Sequence, residues 1–204
     1  MTDFLAVDTS SKYLTVLAKK GSNAVCRHLP ECAMRHSVVL MDEVQCALSQ
    51  ASLDLSECGF LAAVTGPGSF TGIRIGLSTI KGMCAALKKP GIGVTSFQLV
   101  AYNVNSPVPF GVAIDAMHGN FYFASFTPEY AADIQPCYLS AEQVESLSLP
   151  LYGFEDLHLK NYTRLNAGDC LHAAVMRAAE SGGGVLNALY VRKSQAEEAR
   201  LANS

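Results

Sequence analysis

The chain has 204 residues, half of them apolar and only 16% charged, with a net charge of -3. That length suits one large domain or two smaller ones of about 100–150 residues, and the apolar content excludes a disordered or low-complexity chain. A chain without a basic footprint is not built to hold a phosphate backbone alone, so any nucleic-acid role is expected to run through a more basic partner. No N-terminal basic segment leads into an apolar stretch, and no run of about 18 apolar residues exists, so neither a signal peptide nor a membrane span is expected. The seven cysteines are scattered without paired spacing, as reduced thiols in the cytoplasm would be.

In chain order, Phe4-Leu5-Ala6-Val7-Asp8 reads as a buried strand ending in aspartate, followed by a turn and a second strand at 13–17. A helix is predicted over 36–50, with Val38, Met41, Val44 and Leu48 toward its buried face. Phe60-Leu61-Ala62-Ala63-Val64 reads as a strand, 65–72 as a glycine-rich loop and 73–88 as a second helix stopped by Pro90-Gly91. A short strand at 92–94 and a third helix at 97–103 precede the turn-rich Asn105-Ser106-Pro107-Val108-Pro109. Roughly half the chain later the opening pattern returns. Gly111-Val112-Ala113-Ile114-Asp115 again ends in aspartate, a turn follows, and 121–126 is strand-like. Two related α/β lobes are therefore expected, 1–104 and 105–204, the second trimmed, with its last helix placed to return to the first lobe. Ser140 with Gln143 forms a capping box for a helix through Leu147. Asp169 is expected to cap a helix to Glu180, and 195–200 has helix-forming composition.

Catalytic constellations fail on residue identity. The five histidines include no i, i+4 pair, and no two cysteines stand two residues apart. The loop Thr65-Gly66-Pro67-Gly68-Ser69-Phe70-Thr71-Gly72 lacks the lysine of a phosphate loop, the third glycine of a dinucleotide fingerprint and the flanking glycines of a nucleophile elbow. What remains is a glycine turn feeding a helix start. There Gly66, Gly68 and Ser69 would contact an anion or a partner carboxylate, or form a tight turn only. Asp8, Thr9, Ser10 and Asp115 resemble the aspartate loops of duplicated nucleotide-binding folds. No glycines follow either aspartate to wrap phosphate, so each equally reads as the cap of a turn.

The second helix carries Gly72 and Gly76, with Ser78, Gly82 and Ala86 on a neighbouring row. Glycine inside a helix costs about 1 kcal/mol relative to alanine, which is tolerated where another helix or a backbone approaches closely. A leucine at Gly76 is expected to block that approach, whether the neighbour is a partner or the first helix. Arg74, set against the positive end of the helix dipole, calls for an acidic or carbonyl partner.

Val7-Asp8-Thr9-Ser10, Arg35-His36-Ser37, the long Gly66-Pro67-Gly68-Ser69-Phe70-Thr71-Gly72-Ile73-Arg74-Ile75-Gly76 and the ending Leu189-Tyr190-Val191-Arg192-Lys193 before Glu197-Glu198 resemble the bacterial TsaB family. The resemblance implies a duplicated fold of the actin, sugar-kinase and Hsp70 type. It also implies a non-catalytic subunit that docks on TsaD, with TsaE joining, in the transfer of threonylcarbamoyl to N6 of adenosine 37 of tRNA. On this reading His36, Val39 and Glu43 of the first helix and Gly72, Arg74, Gly76, Thr79, Gly82 and Met83 of the second form the partner face, which also closes a homodimer when TsaD is absent. No cofactor is intrinsic, ATP and Mg being handled by the partners, and tRNA is met only through the complex. Met117 departs from the family, which has arginine there. The alternative is an active ATP-dependent small-molecule kinase or a peptidase of the same fold.

Overall fold

The computed structural model describes residues 2–192, so Lys193 and the helix expected at 195–200 lie outside the described residues. The first half supplies strands β1 (Phe4–Asp8), β2 (Leu14–Lys20), β3 (Asn23–Leu29), β4 (Phe60–Val64) and β5 (Gly91–Val94), with helices α1 (His36–Ala51), α2 (Phe70–Leu87) and α3 (Ser96–Ala101). The second supplies β6 (Phe110–Asp115), β7 (Asn120–Phe126), β8 (Ala132–Ser140), β9 (Leu151–Gly153) and β10 (Tyr162–Arg164), with α4 (Ala141–Ser146) and α5 (Ala167–Glu180).

The two sheets share one topology. The first runs β3-β2-β1-β4-β5 and the second, read in the same sense, β8-β7-β6-β9-β10. In each the first three strands pair antiparallel, while the fourth and fifth join in parallel. The repeat of an aspartate-ended strand thus marks a repeated unit: β1 and β6 occupy the same central place. Every residue of β1 and β4 is buried, as expected of strands covered on both faces.

Alternation along the strands builds three packed layers. Leu5, Val7, Leu61 and Ala63 point to the outer face of the first sheet and meet α1 and α2. Phe4, Ala6, Phe60 and Ala62 point inward to a core shared with Phe110, Val112 and Phe126 of the second sheet and with α3 and α5. Ala113, Phe121 and Phe123 face the third cluster, beneath α4. The trimming of the second half falls on its outer helices. Its sheet has five strands like the first, but α4 has 6 residues where α1 has 16 and α2 has 18. The helix that reaches the first sheet is α5, which packs on β5, β2, β3 and β1.

Some local expectations change. The Ser140–Gln143 capping box is present, with both reciprocal bonds, but α5 is capped by Asn166, whose Oδ1 accepts from Gly168 N, and Asp169 lies in its first turn. The second helix ends at Leu87 because Lys88 adopts φ 53°, before Pro90 is reached. The buried stripe of α1 is His36, Leu40, Val44, Ala47 and Ala51; Val38 and Met41 point to solvent, 71% and 52% exposed.

Candidate functional site

Where β1 ends, the chain turns on Asp8, whose Oδ1 accepts from Ser10 N at 2.8 Å. Asp115, ending β6, accepts from Met117 N at 2.8 Å in the same way. The two aspartates are turn caps in equivalent places of the two units. They differ in burial: Asp8 is 1% exposed and its Oδ2 has no hydrogen-bond donor, whereas Asp115 is exposed. Burial pushes the Asp8 carboxyl above the ordinary aspartate range, partly offset by its bonds to Ser10. An acid with a raised folded pKa lends stability in its protonated form and loses it as pH rises. Asp8→Asn keeps the acceptor for Ser10 N and removes the buried charge. In thermal melts the variant should therefore exceed the wild type at neutral pH, the gap closing as pH falls toward 3.8, the ordinary aspartate value. A gap that widened on acidification would contradict the burial account.

The glycine loop is folded onto this turn. The Gly66–Pro67 peptide is cis, and Gly66 and Gly68 have φ 94° and 153°, where a Cβ is strained. Ser69 N donates to Ser10 O at 2.6 Å, and Ser69 Oγ caps α2 by accepting from Gly72 N at 3.2 Å. The donor at Ser69 is thus satisfied by the chain's own backbone rather than held out for an anion. A Cβ at Gly72 would strike the Thr9 carbonyl, and one at Gly76 the Thr9 hydroxyl; Thr9 Oγ1 donates to Gly72 O at 2.7 Å. The close approach these glycines allow is therefore to the end of β1, not to a partner helix or to α1.

The predicted partner residues separate accordingly. His36 is buried and donates from Nε2 to Tyr13 O at 2.9 Å, so it anchors α1 to the β1–β2 turn instead of facing a partner. Gly72 and Gly76 are buried likewise. Glu43 is half-buried and accepts from Arg27 Nε of β3 at 2.8 Å. Val39, Thr79 and Met83 are half-buried, while Arg74 and Gly82 are exposed, nothing lying within 4 Å of a Cβ built on Gly82. The partner of Arg74 is aromatic: its guanidinium lies 3.7 Å from the Phe70 ring centre and Nε donates to Tyr190 Oη at 3.1 Å. Sequence reasoning missed the outward stripe of Val38 and Met41, with Met34 just before the helix, all exposed on or beside α1. The signal was there in a helix carrying apolar residues on two faces.

All seven cysteines are free, and burial pushes Cys58 up to about 11 and Cys170 up to about 12, keeping both protonated at neutral pH. Among the described residues no three His, Cys, Asp or Glu side chains converge to hold a metal ion, and no helix is long and apolar enough to cross a membrane.

The family model described as TsaD: tRNA N6-adenosine threonylcarbamoyltransferase matches residues 28–167. The tRNA threonylcarbamoyladenosine biosynthesis protein TsaB of Escherichia coli is 32% identical over 125 residues, 60% of this chain and 54% of that protein. The TsaB of Haemophilus influenzae is 26% identical over 92% of this chain and 82% of that protein. The match thus spans about half the length of the E. coli relative and more of the other. The structure of YeaZ from Pseudomonas aeruginosa, 22% identical, shares the fold with a TM-score of 0.77 over 93% of this chain and 100% of that one. A repeated unit of this strand order, each copy opened by a strand capped with aspartate, is a duplicated two-lobed α/β fold, the one this chain shares with YeaZ. The chain belongs to the family whose model bears that TsaD description, and within it the relatives from E. coli and H. influenzae to which it is similar are named TsaB.

Proposed function

We propose that the protein is a non-catalytic subunit that binds a TsaD-type transferase, with TsaE joining, in the transfer of threonylcarbamoyl to N6 of adenosine 37 of tRNA. It acts in the cytoplasm, leaves ATP and Mg to its partners and meets tRNA only through the assembly, in keeping with its net charge of -3. The lobes divide at 104/105. The outward side of α1 and α2 is the docking face, and it closes a homodimer when TsaD is absent. The observation that carries this reading is the exposed Val38 and Met41 on α1, beside a second helix whose outer row is small at Ser78 and Gly82. Full burial of a valine or methionine is worth about 1.5–3 kcal/mol, and small residues on the neighbouring helix let a partner backbone come near. Val39, Glu43, Arg74, Thr79 and Met83 border this face, while His36, Gly72 and Gly76 hold its two helices in place from within.

The test is co-purification with the TsaD of the same organism. Val38→Glu with Met41→Glu should keep the fold, because exposed positions tolerate exchange within about 0.5 kcal/mol. It should weaken the complex by more than about tenfold, since two buried charges cost more than 1.4 kcal/mol. A wild type that does not associate, or a double variant that binds as well, would sink the docking face. ATP turnover by the isolated chain would favour the kinase reading instead.

A further inference from the structure

Phe70, Arg74, Ser78 and Gly82 stand one helical step apart on α2 and form one outward row, all of them exposed. The last two are small; the first two are joined by a residue from the far end of the chain. The Arg74 guanidinium lies 3.7 Å from the Phe70 ring centre, its Nε donates to Tyr190 Oη at 3.1 Å, and the two rings are 5.2 Å apart. One face and one edge of the guanidinium are thereby fixed. Among the described residues its two terminal amino groups meet no hydrogen-bond or ion-pair partner. No acidic residue stands in the first turn of α2, so the positive end of the helix and the guanidinium add to one local positive charge.

Tyr190 is held as firmly as the helix. Gly184 O accepts from Gly93 N of β5 at 2.8 Å, and Leu186 is buried against Gly91. Asn187 Oδ1 accepts from Lys81 Nζ of α2 at 3.2 Å, and Leu189 N donates to Thr65 O at 2.8 Å. Side chains set in place beforehand lose little freedom on binding. Phe70 and Tyr190 are nevertheless 40% and 45% exposed. Phenylalanine, tyrosine and arginine in one rigid, half-exposed cluster have the composition that carries most of the binding energy at protein interfaces.

We propose that Phe70, Arg74 and Tyr190 anchor the docking face by taking a carboxylate side chain of the protein partner. The two free amino groups of Arg74 bind both carboxylate oxygens in the guanidinium plane, and the rings shield the pair from water. Tyr190 is a positioning residue, acting through Arg74. The inference rests on the proposed α1–α2 docking face: a partner backbone lying along Ser78 and Gly82 meets the cluster at the end of the same row.

The test is the affinity of the whole chain for the TsaD of the same organism, read at about 50 and about 300 mM salt. Arg74→Gln should weaken the complex by about tenfold or more and flatten its salt dependence. Tyr190→Phe keeps the ring and removes the hydroxyl. It should melt with the wild type yet bind about threefold or more weakly, and it should add no loss to Arg74→Gln. In nitrogen-15 spectra of the chain alone it should also move the Arg74 Nε–H signal, a readout that needs no partner. Arg74→Gln binding like the wild type, while Val38→Glu with Met41→Glu weakens the complex, would overturn the anchor and leave the docking face standing. A wild type that does not associate would overturn both. Additive losses, or an Nε–H signal indifferent to Tyr190→Phe, would overturn the positioning role. A loss confined to complexes that contain tRNA would assign Arg74 to a phosphate and overturn the carboxylate.

Discussion

Gly72→Ala is expected to lower the melting temperature by roughly 6–12 °C, a loss of about 3 kcal/mol in a chain of this size. The added Cβ would meet the carbonyl oxygen of Thr9, a backbone atom that has little room to move. Thr9 follows directly on the central strand β1, its hydroxyl donates to Gly72 O at 2.7 Å, and Ser69 N donates to the neighbouring Ser10 O at 2.6 Å. Relieving the clash therefore means lifting the first turn of α2 from the sheet and losing those bonds, which costs more than ordinary overpacking of side chains. Gly82→Ala makes the contrast within one helix. Nothing lies within 4 Å of the position its Cβ would take, so the exchange should stabilise by up to about 1 kcal/mol through helix propensity alone. Thermal unfolding of the two variants beside wild type reads both. A Gly72→Ala protein that melts with the wild type would refute the inward packing; a Gly82→Ala protein that loses stability would show that this glycine, too, has a neighbour.

The same comparison shows what a sequence can and cannot display. Gly72 and Gly76 share their row with Ile73, Leu77 and Ile80, all buried. That apolar company was the legible sign that the row faces a sheet and not a partner. On α1 the sign was ambiguous because apolar residues occupy two sides of the helix, and only the sheet's position decides that Leu40 and Val44 go in while Val38 and Met41 stay out. The central strands announced themselves as unbroken apolar runs, and their aspartate endings disclosed the repeat. The edge strands β3, β8 and β10, and the short β9 beside the last of them, did not. The β3 strand is half exposed, β8 is exposed along much of its length and contains Pro136, which an edge tolerates, and β9 and β10 have 3 residues each. Arg74 was expected to meet an acidic or carbonyl group; its partner Tyr190 comes from the far end of the chain, a proximity that no local pattern encodes.

Residues 1–104 expressed alone are expected to remain unfolded or to aggregate, although they contain every strand of the first sheet. The inward face of that sheet carries Phe4, Ala6, Leu17, Phe60, Ala62 and Val64, all buried in a core that includes Leu171, Ala174, Val175 and Ala178 of α5 and Phe110, Val112 and Phe126 of the second sheet. Phe4 also stacks on His172 of α5, with ring centres 6.3 Å apart. Removing the second half uncovers this face. Each large apolar side chain returned to water forfeits about 1.5–3 kcal/mol, so a few of them rival the whole stability of a domain, about 5–15 kcal/mol. Helices α1 and α2 lie on the opposite side of the sheet and do not compensate. Circular dichroism and amide spectra of the fragment beside the full chain decide the matter. Dispersed, native-like spectra from 1–104 would mean that the first lobe is an independent folding unit and that α5 is only laid upon it. An unfolded fragment, together with a single cooperative transition in the full chain, would mean that the two lobes stabilise each other through the core they share.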